Sequence, residues 1–398
     1  MLRSVNMKRF AITLCLVITI TNQVYADGIF GDFGGYRSSL SKHGVEIESI
    51  FTMDYIADLS GGLKRDEAFL GNYDLTFTFD TGKLGVWDNG TLFLYFLGNF
   101  GDAPTEIIGD LQGSDNIEAP ETFKLFEAWY EHTFFDGKFS FLVGLHDLNS
   151  EFYALDNAAG LLNSSFGIGI DASQPGPSIF PTTALAARTR ILFGDKGYFQ
   201  AAAYDGIPGD PNNDKGTHVI LKSSDGIFWI AEGGVAGGED ASYYKAALGG
   251  WYHTTDFEDF SGVSRSNNYG AYLIAEKNVL AEADPEQGLG LFFQFGYAKG
   301  DRNQTEHYLG FGCRYTGALP GRDQDVFSFG VAAARNSDEF LKANPGFDRT
   351  ETAIEATYNI VLSDYFSVTP DFQYIINPGT DSSLDNAVVL GIRTEIAM

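Results

Sequence analysis

From Val45 onward the chain alternates. Val45, Ile47, Phe51, Met53 and Tyr55 are apolar, whereas Glu46, Glu48, Thr52 and Asp54 between them are polar. A period of two sends successive side chains to opposite faces of a strand, so one face is dry and the other wet. The pattern returns at Leu75, Phe77 and Phe79 against Asp74, Thr76, Thr78 and Asp80, and at Leu291, Phe293, Phe295 and Tyr297 against Gln294, Gly296 and Ala298. It closes the chain at Val388, Leu390, Ile392 and Ile396 against Arg393 and Glu395. Helical periodicity is confined to Asp32–Lys42, which predicts one short helix ahead of the strands.

The connections alternate in length. Short ones carry turn chemistry: Asp136-Gly137, Gly194-Asp195-Lys196-Gly197, Pro320-Gly321-Arg322-Asp323 and Ser363-Asp364. Long ones, at 101–121, 147–183, 205–226, 336–350 and 377–386, are polar. Short periplasmic turns and long external loops are the asymmetry of outer-membrane barrels. Seventeen segments alternate, but a single-chain bacterial barrel has an even strand number. The five residues His218–Lys222, flanked by Gly209-Asp210-Pro211 and Ser224-Asp225-Gly226, are the segment to drop. The expected fold is all-β, a 16-stranded antiparallel transmembrane β-barrel over 45–398, wide enough to enclose an aqueous channel.

The start of the chain reads as an export signal. Arg3, Lys8 and Arg9 precede an apolar run, Phe10–Ile20, too short to span a bilayer, and Val24-Tyr25-Ala26 resembles a cleavage site. Residues 1–26 are therefore expected to be a signal peptide, with Asp27 as the mature start and 27–44 as a periplasmic segment. Cleavage removes three positive charges, moving the formal charge from −27 to −30 and leaving Cys313 as the one cysteine. Such acidity argues against nucleic-acid partners. With 34 Phe, 20 Tyr, 4 Trp and 47 Gly, the aromatic and glycine richness suits a membrane barrel.

Several motifs in order carry a family resemblance. They are Lys124-Leu125-Phe126-Glu127-Ala128-Trp129-Tyr130-Glu131, Asp136-Gly137-Lys138, Val143-Gly144-Leu145, and Asp147-Leu148-Asn149-Ser150-Glu151-Phe152. Asn163-Ser164-Ser165-Phe166-Gly167, Leu248-Gly249-Gly250-Trp251-Tyr252-His253-Thr254, and Pro370-Asp371-Phe372-Gln373-Tyr374-Ile375-Ile376-Asn377-Pro378 follow. The chain resembles the carbohydrate-selective porins of the OprB type. That resemblance implies a 16-stranded outer-membrane barrel admitting glucose and related sugars by diffusion. Ending in Met398, rather than the usual aromatic residue, departs from the common outer-membrane pattern.

Alternation nominates channel-facing residues. With Phe126, Ala128 and Tyr130 assigned to lipid, Glu127, Trp129 and Glu131 face the lumen; Arg188 and Arg190 share a face two strands later, and His146 ends the intervening strand. Trp251, Glu355, Gln373 and Arg393 complete the set. Carboxylates accept, guanidinium forks donate and tryptophan offers an apolar surface, which is the chemistry a neutral sugar needs. The bland alternative is that the charges hydrate and brace the wall and the tryptophans sit in interfacial girdles. The loop 147–183, the longest connection, is a candidate to fold inward.

The six His are scattered, so no metal site, cofactor or catalytic site is expected. A general or cation-preferring pore is the alternative solute reading, favoured by the acidic balance. A barrel enzyme and a secreted sugar-binding module are the other classes weighed. Sugars and outer-membrane lipid are the expected partners, and monomer and homo-oligomer are both compatible with the sequence.

Overall fold

In a computed structural model, residues 28–239, 242–284 and 286–398 are described; the expected signal peptide, 1–26, and the start at Asp27 lie outside them. The first half of the wall is β1 (Val45–Ser60), β2 (Glu67–Asp80), β3 (Gly90–Gly101), β4 (Thr122–Phe134), β5 (Phe139–His146), β6 (Ala184–Phe193), β7 (Gly197–Asp205) and β8 (Ile227–Gly237). The second is β9 (Tyr244–Glu258), β10 (Ser264–Ala281), β11 (Gly288–Ala298), β12 (Thr305–Thr316), β13 (Val326–Asn336), β14 (Thr350–Ser363), β15 (Phe366–Ile376) and β16 (Ala387–Ala397). Each strand pairs with its sequence neighbours, and β1 pairs with β16 from Ile50↔Ala397 to Ser60↔Val388, closing the barrel.

The sixteen strands follow the alternation closely. Residues 217–222 are not a strand. Their loop instead leans on the top of β4, where Gly216 N donates to Thr122 Oγ1 and Thr217 Oγ1 to Leu125 O, both at 2.8 Å. The expected short helix is α1 (Tyr36–Lys42), lying beside β1. Its Arg37 donates to the Met398 carbonyl at 2.8 Å, and Met398 N donates to Ser49 O at 2.8 Å, so the non-aromatic end is tied into the seam. Apolar outward residues such as Leu390 and Ile392 form the lipid-facing surface.

One facing assignment is corrected. Tyr95 opposes Glu127 whereas Phe96 opposes Leu125, so Phe126 is an extra residue in a β-bulge. The bulge turns both Phe126 and Glu127 inward; Phe126 is buried, edge-on to Tyr95 at 5.1 Å, rather than facing lipid.

The lumen is filled on one side. Loop 147–183 enters it, and its Leu148, Phe152, Tyr153, Leu161 and Phe166 pack with Tyr198, Phe228, Trp251, Tyr272, Phe292 and Tyr308 of the wall. Inward glycines make room for it. A Cβ on Gly296 would overlap the Asp171 carboxylate, and one on Gly330 would press into the Phe166 ring. The loop between β3 and β4 also folds in, burying Ile107 and Ile108.

Candidate functional site

Carboxylates on alternate strands hold loop 147–183 in place. On β4, Glu127 accepts from Asp147 N at 2.9 Å; on β8, Glu232 accepts from Tyr153 N at 3.0 Å and from the Tyr198 and Tyr272 hydroxyls at 2.7 Å. On β10, Glu276 accepts from Asn157 N at 2.8 Å, and on β14, Glu355 accepts from Leu162 N at 2.5 Å and Asn163 N at 3.1 Å. Loop carbonyls are met as well: Lys245 donates to Ala154 O at 2.7 Å, Gln294 to Phe166 O at 2.8 Å and Tyr308 to Ser165 O at 2.7 Å.

Arg188 on β6 adds an ion pair. Its Nη1 donates to Ser140 Oγ at 2.6 Å, and its Nη2 donates to Glu131 at 2.8 Å and to the loop's Glu151 at 2.5 Å. Burial would raise the Glu151 carboxyl, but Arg188 beside it holds it below the usual range.

The other inward loop has its own set. Glu351 accepts from Leu111 N at 2.7 Å and Gln112 N at 3.0 Å, and Gln373 donates to Ser114 O at 2.7 Å. Arg393 donates to Asp54 at 2.6 Å on the wall and to Asn116 Oδ1 at 2.7 Å on the loop.

What remains open is eccentric. A cavity with about 380 Å³ of free space runs along β16, β1, β2, β3 and β4. Thr52, Asn72, Asp74, Tyr95, Phe126, Glu127, Arg393 and Glu395 form its wall side. Gln112, Asn116, Glu118, Asn149 and Phe180 face them from the two loops. Carboxylates, amides and one guanidinium thus surround four aromatic rings, those of Tyr95, Phe126, Phe166 and Phe180.

Of the ten nominated residues, the cavity gathers Glu127 and Arg393. Trp129 is buried and stacked on Phe93 at 4.9 Å, Trp251 is buried and stacked on Phe228 at 5.8 Å, and His146 Nδ1 meets the Tyr204 hydroxyl at 2.8 Å. Glu131 and Arg188 are in the ion pair, Arg190 lies over the Tyr198 ring at 5.1 Å, and Glu355 and Gln373 hold the loops. Glu232, Glu276 and Glu351 were not nominated. Alternation does put Glu232 and Glu276 on the inward face, and Ile107, Ile108 and Leu111 are an apolar cluster inside a polar loop, a signal that the loop is buried.

A family model described as "Carbohydrate-selective porin, OprB family" matches residues 64–398. "Porin B" of Pseudomonas aeruginosa is 23% identical over 418 residues, 92% of this chain and 90% of that protein. "Putative porin QuiX" of Acinetobacter baylyi is 23% identical over 427 residues, 95% of each. Among solved structures, the high-pH structure of Pseudomonas putida OprB superposes with a TM-score of 0.84 at 22% identity, covering 94% of this chain and 98% of that one. The outer-membrane channel DcaP of Acinetobacter baumannii gives 0.58 at 8% identity, covering 89% and 97%, a likeness of fold.

Proposed function

The chain belongs to the carbohydrate-selective porin family of the OprB type and is an outer-membrane porin for sugars, and on that premise we propose that solute crosses along the β16–β4 wall, past the two strapped loops. The observation that carries this reading is the division of the lumen. Aromatic and aliphatic packing closes the side where β7–β12 stand, and the polar cavity lies opposite it.

The lining suits a neutral polyol. Asp74 and Glu118 accept hydroxyl protons, Asn72, Gln112, Asn116 and Asn149 both donate and accept, and Arg393 donates. Tyr95, Phe126 and Phe180 offer apolar faces to the flatter side of a sugar ring. Nothing in such a passage calls for chemistry on the solute; it is a channel rather than an enzyme. Glu131, Arg188, Glu232, Glu276 and Glu355 act through the loops, setting the width of the opening. We further assign 1–26 to a cleaved leader and 27–44 to a periplasmic segment preceding the barrel.

One observation favours a second trait. Asp74, Glu118, Glu127, Asp147 and Glu395 share the cavity with a single guanidinium, and above the pH at which they ionise small cations are favoured over anions during passage.

Single-channel conductance in planar bilayers tests the reading. Glucose is expected to block saturably and a neutral non-sugar of similar size is not, and Asp74→Ala is expected to weaken the glucose block. Open channels indifferent to glucose would return the protein to general diffusion, and block unaltered by Asp74→Ala would move the path elsewhere.

A further inference from the structure

A second recess adjoins the passage on its periplasmic side. It lies beneath loop 147–183 against the ends of β12–β16 that adjoin the short turns, and Arg393 and Glu395 belong to both spaces. Leu162 and Val326 give it an apolar lining, and Arg314, Ser328, Thr369 and Glu395 a polar one.

Two of its donors are unused. Arg393 is tied by several bonds, but Arg314 Nε is buried with no hydrogen-bond partner. The Ser328 hydroxyl is likewise buried and unbonded, with Gly160 so close that a Cβ there would overlap it. A buried polar group without a partner is costly, so such donors mark a place where something else is bonded. Asp156 and Glu276 stand near enough to Arg314 to offset its charge, which favours a neutral guest over an anion. Acceptors are at hand in Glu395 and in the Thr369 hydroxyl, which also takes a bond from Asn359 at 2.8 Å.

Size limits the guest. The recess holds about 30 Å³ of free space. A water needs roughly 10–15 Å³ by the same measure, so there is room for about two water-sized groups and not for a sugar ring. One carbon and one oxygen fit, which is the size of an exocyclic hydroxymethyl arm.

We propose that this recess receives the hydroxymethyl arm of a hexopyranose while the ring stays in the passage beside Arg393 and Glu395, so that the pore prefers hexoses to pentopyranoses lacking the arm. The inference rests on the sugar-porin reading and adds to it a specificity determinant on the exit side. Arg314 and Ser328 donate to the arm's oxygen, and Leu162 and Val326 cover its methylene.

The test compares D-glucose with D-xylose, whose pyranose ring lacks the arm, in single-channel block of the purified protein. Glucose is expected to block wild type at about tenfold lower concentration than xylose, the scale of one hydrogen bond to a charged group. Arg314→Gln and Ser328→Ala are each expected to bring the ratio toward one by weakening the glucose block and leaving xylose unchanged. Ser328→Ala removes one hydroxyl, keeps the charge balance, and stands in should Arg314→Gln fail to assemble. A ratio unchanged in the folded variants, or equal block by the two sugars in wild type, overturns the recess and leaves the porin. Conducting channels blocked by neither sugar overturn both readings.

Discussion

Arg188 and Glu151 form an ion pair of 2.5 Å between the barrel wall and the loop inside it, with the two side chains 1% and 7% exposed. Its companion carboxylate, Glu131, faces the guanidinium from β4 at 2.8 Å. Removing the cation strands two carboxylates at once. Arg188→Met is therefore expected to lower stability by roughly 3 kcal/mol, because an unpaired buried charge costs more than the pair contributes. Equilibrium unfolding in urea from lipid vesicles measures it, and open-channel conductance should rise as the loop loosens. A variant as stable and as narrow as wild type would remove Arg188 from the loop's support.

Glu355 offers a finer lesion. It accepts two successive backbone N–H groups, from Leu162 and Asn163. Glu355→Gln keeps one acceptor oxygen and puts an amide donor where the other stood, which should weaken the strap by about 1–2 kcal/mol without opening the barrel. Excess current noise in an open channel of nearly normal mean conductance is the expected signature. Noise at the wild-type level would mean the loop is held without this residue.

A third prediction concerns space. Gly330 faces inward where Phe166 and Leu161 pack. Gly330→Val should displace the turn at Ser164–Phe166, costing roughly 1–3 kcal/mol as overpacking and enlarging the pore. Heat-modifiable migration on gels should still report a closed barrel. Unaltered conductance in a folded variant would show that the turn does not bound the opening.

The fourth is a pH dependence. Burial pushes Asp171, in the loop, from the ordinary 3.8 up to about 7, against the lowering effect of the Tyr153 hydroxyl that donates to it at 3.1 Å. A group that holds its proton more tightly when packed gives full stability below 3.8 and loses it as pH rises through about 7. Loop fluctuations should thus increase between acid and mildly alkaline solution, and Asp171→Asn should flatten that part of the profile. An identical profile in the variant would assign the titration to another group.

The barrel was legible because a wall between lipid and a polar interior writes period two into every strand, and 217–222 was separable because its neighbours are turn formers. The face of Glu127 was equally legible. What lies in front of that face was not: alternation distinguishes inside from outside but cannot tell water from a folded loop. Glu355 and Gln373 accordingly looked like solute ligands, whereas their partners are backbone groups of two loops. Phe126 was misplaced because a bulge shifts the alternation by one residue without a compositional mark. The cavity residues Asn116 and Glu118 sit in a loop whose inward course was written only in its few apolar positions.

The passage runs beside the pairing of β1 with β16, the contact that joins the two ends of the wall. Of all the neighbouring strand pairs this one brings together residues farthest apart in sequence, and its closure carries the largest chain-entropy cost. The β16 side of the conduit, with Arg393 and Glu395, is consequently missing until the circle is complete. A barrel caught with its seam ajar would have its polar groove open sideways to lipid instead of leading from one side of the membrane to the other, so permeability begins only when insertion ends.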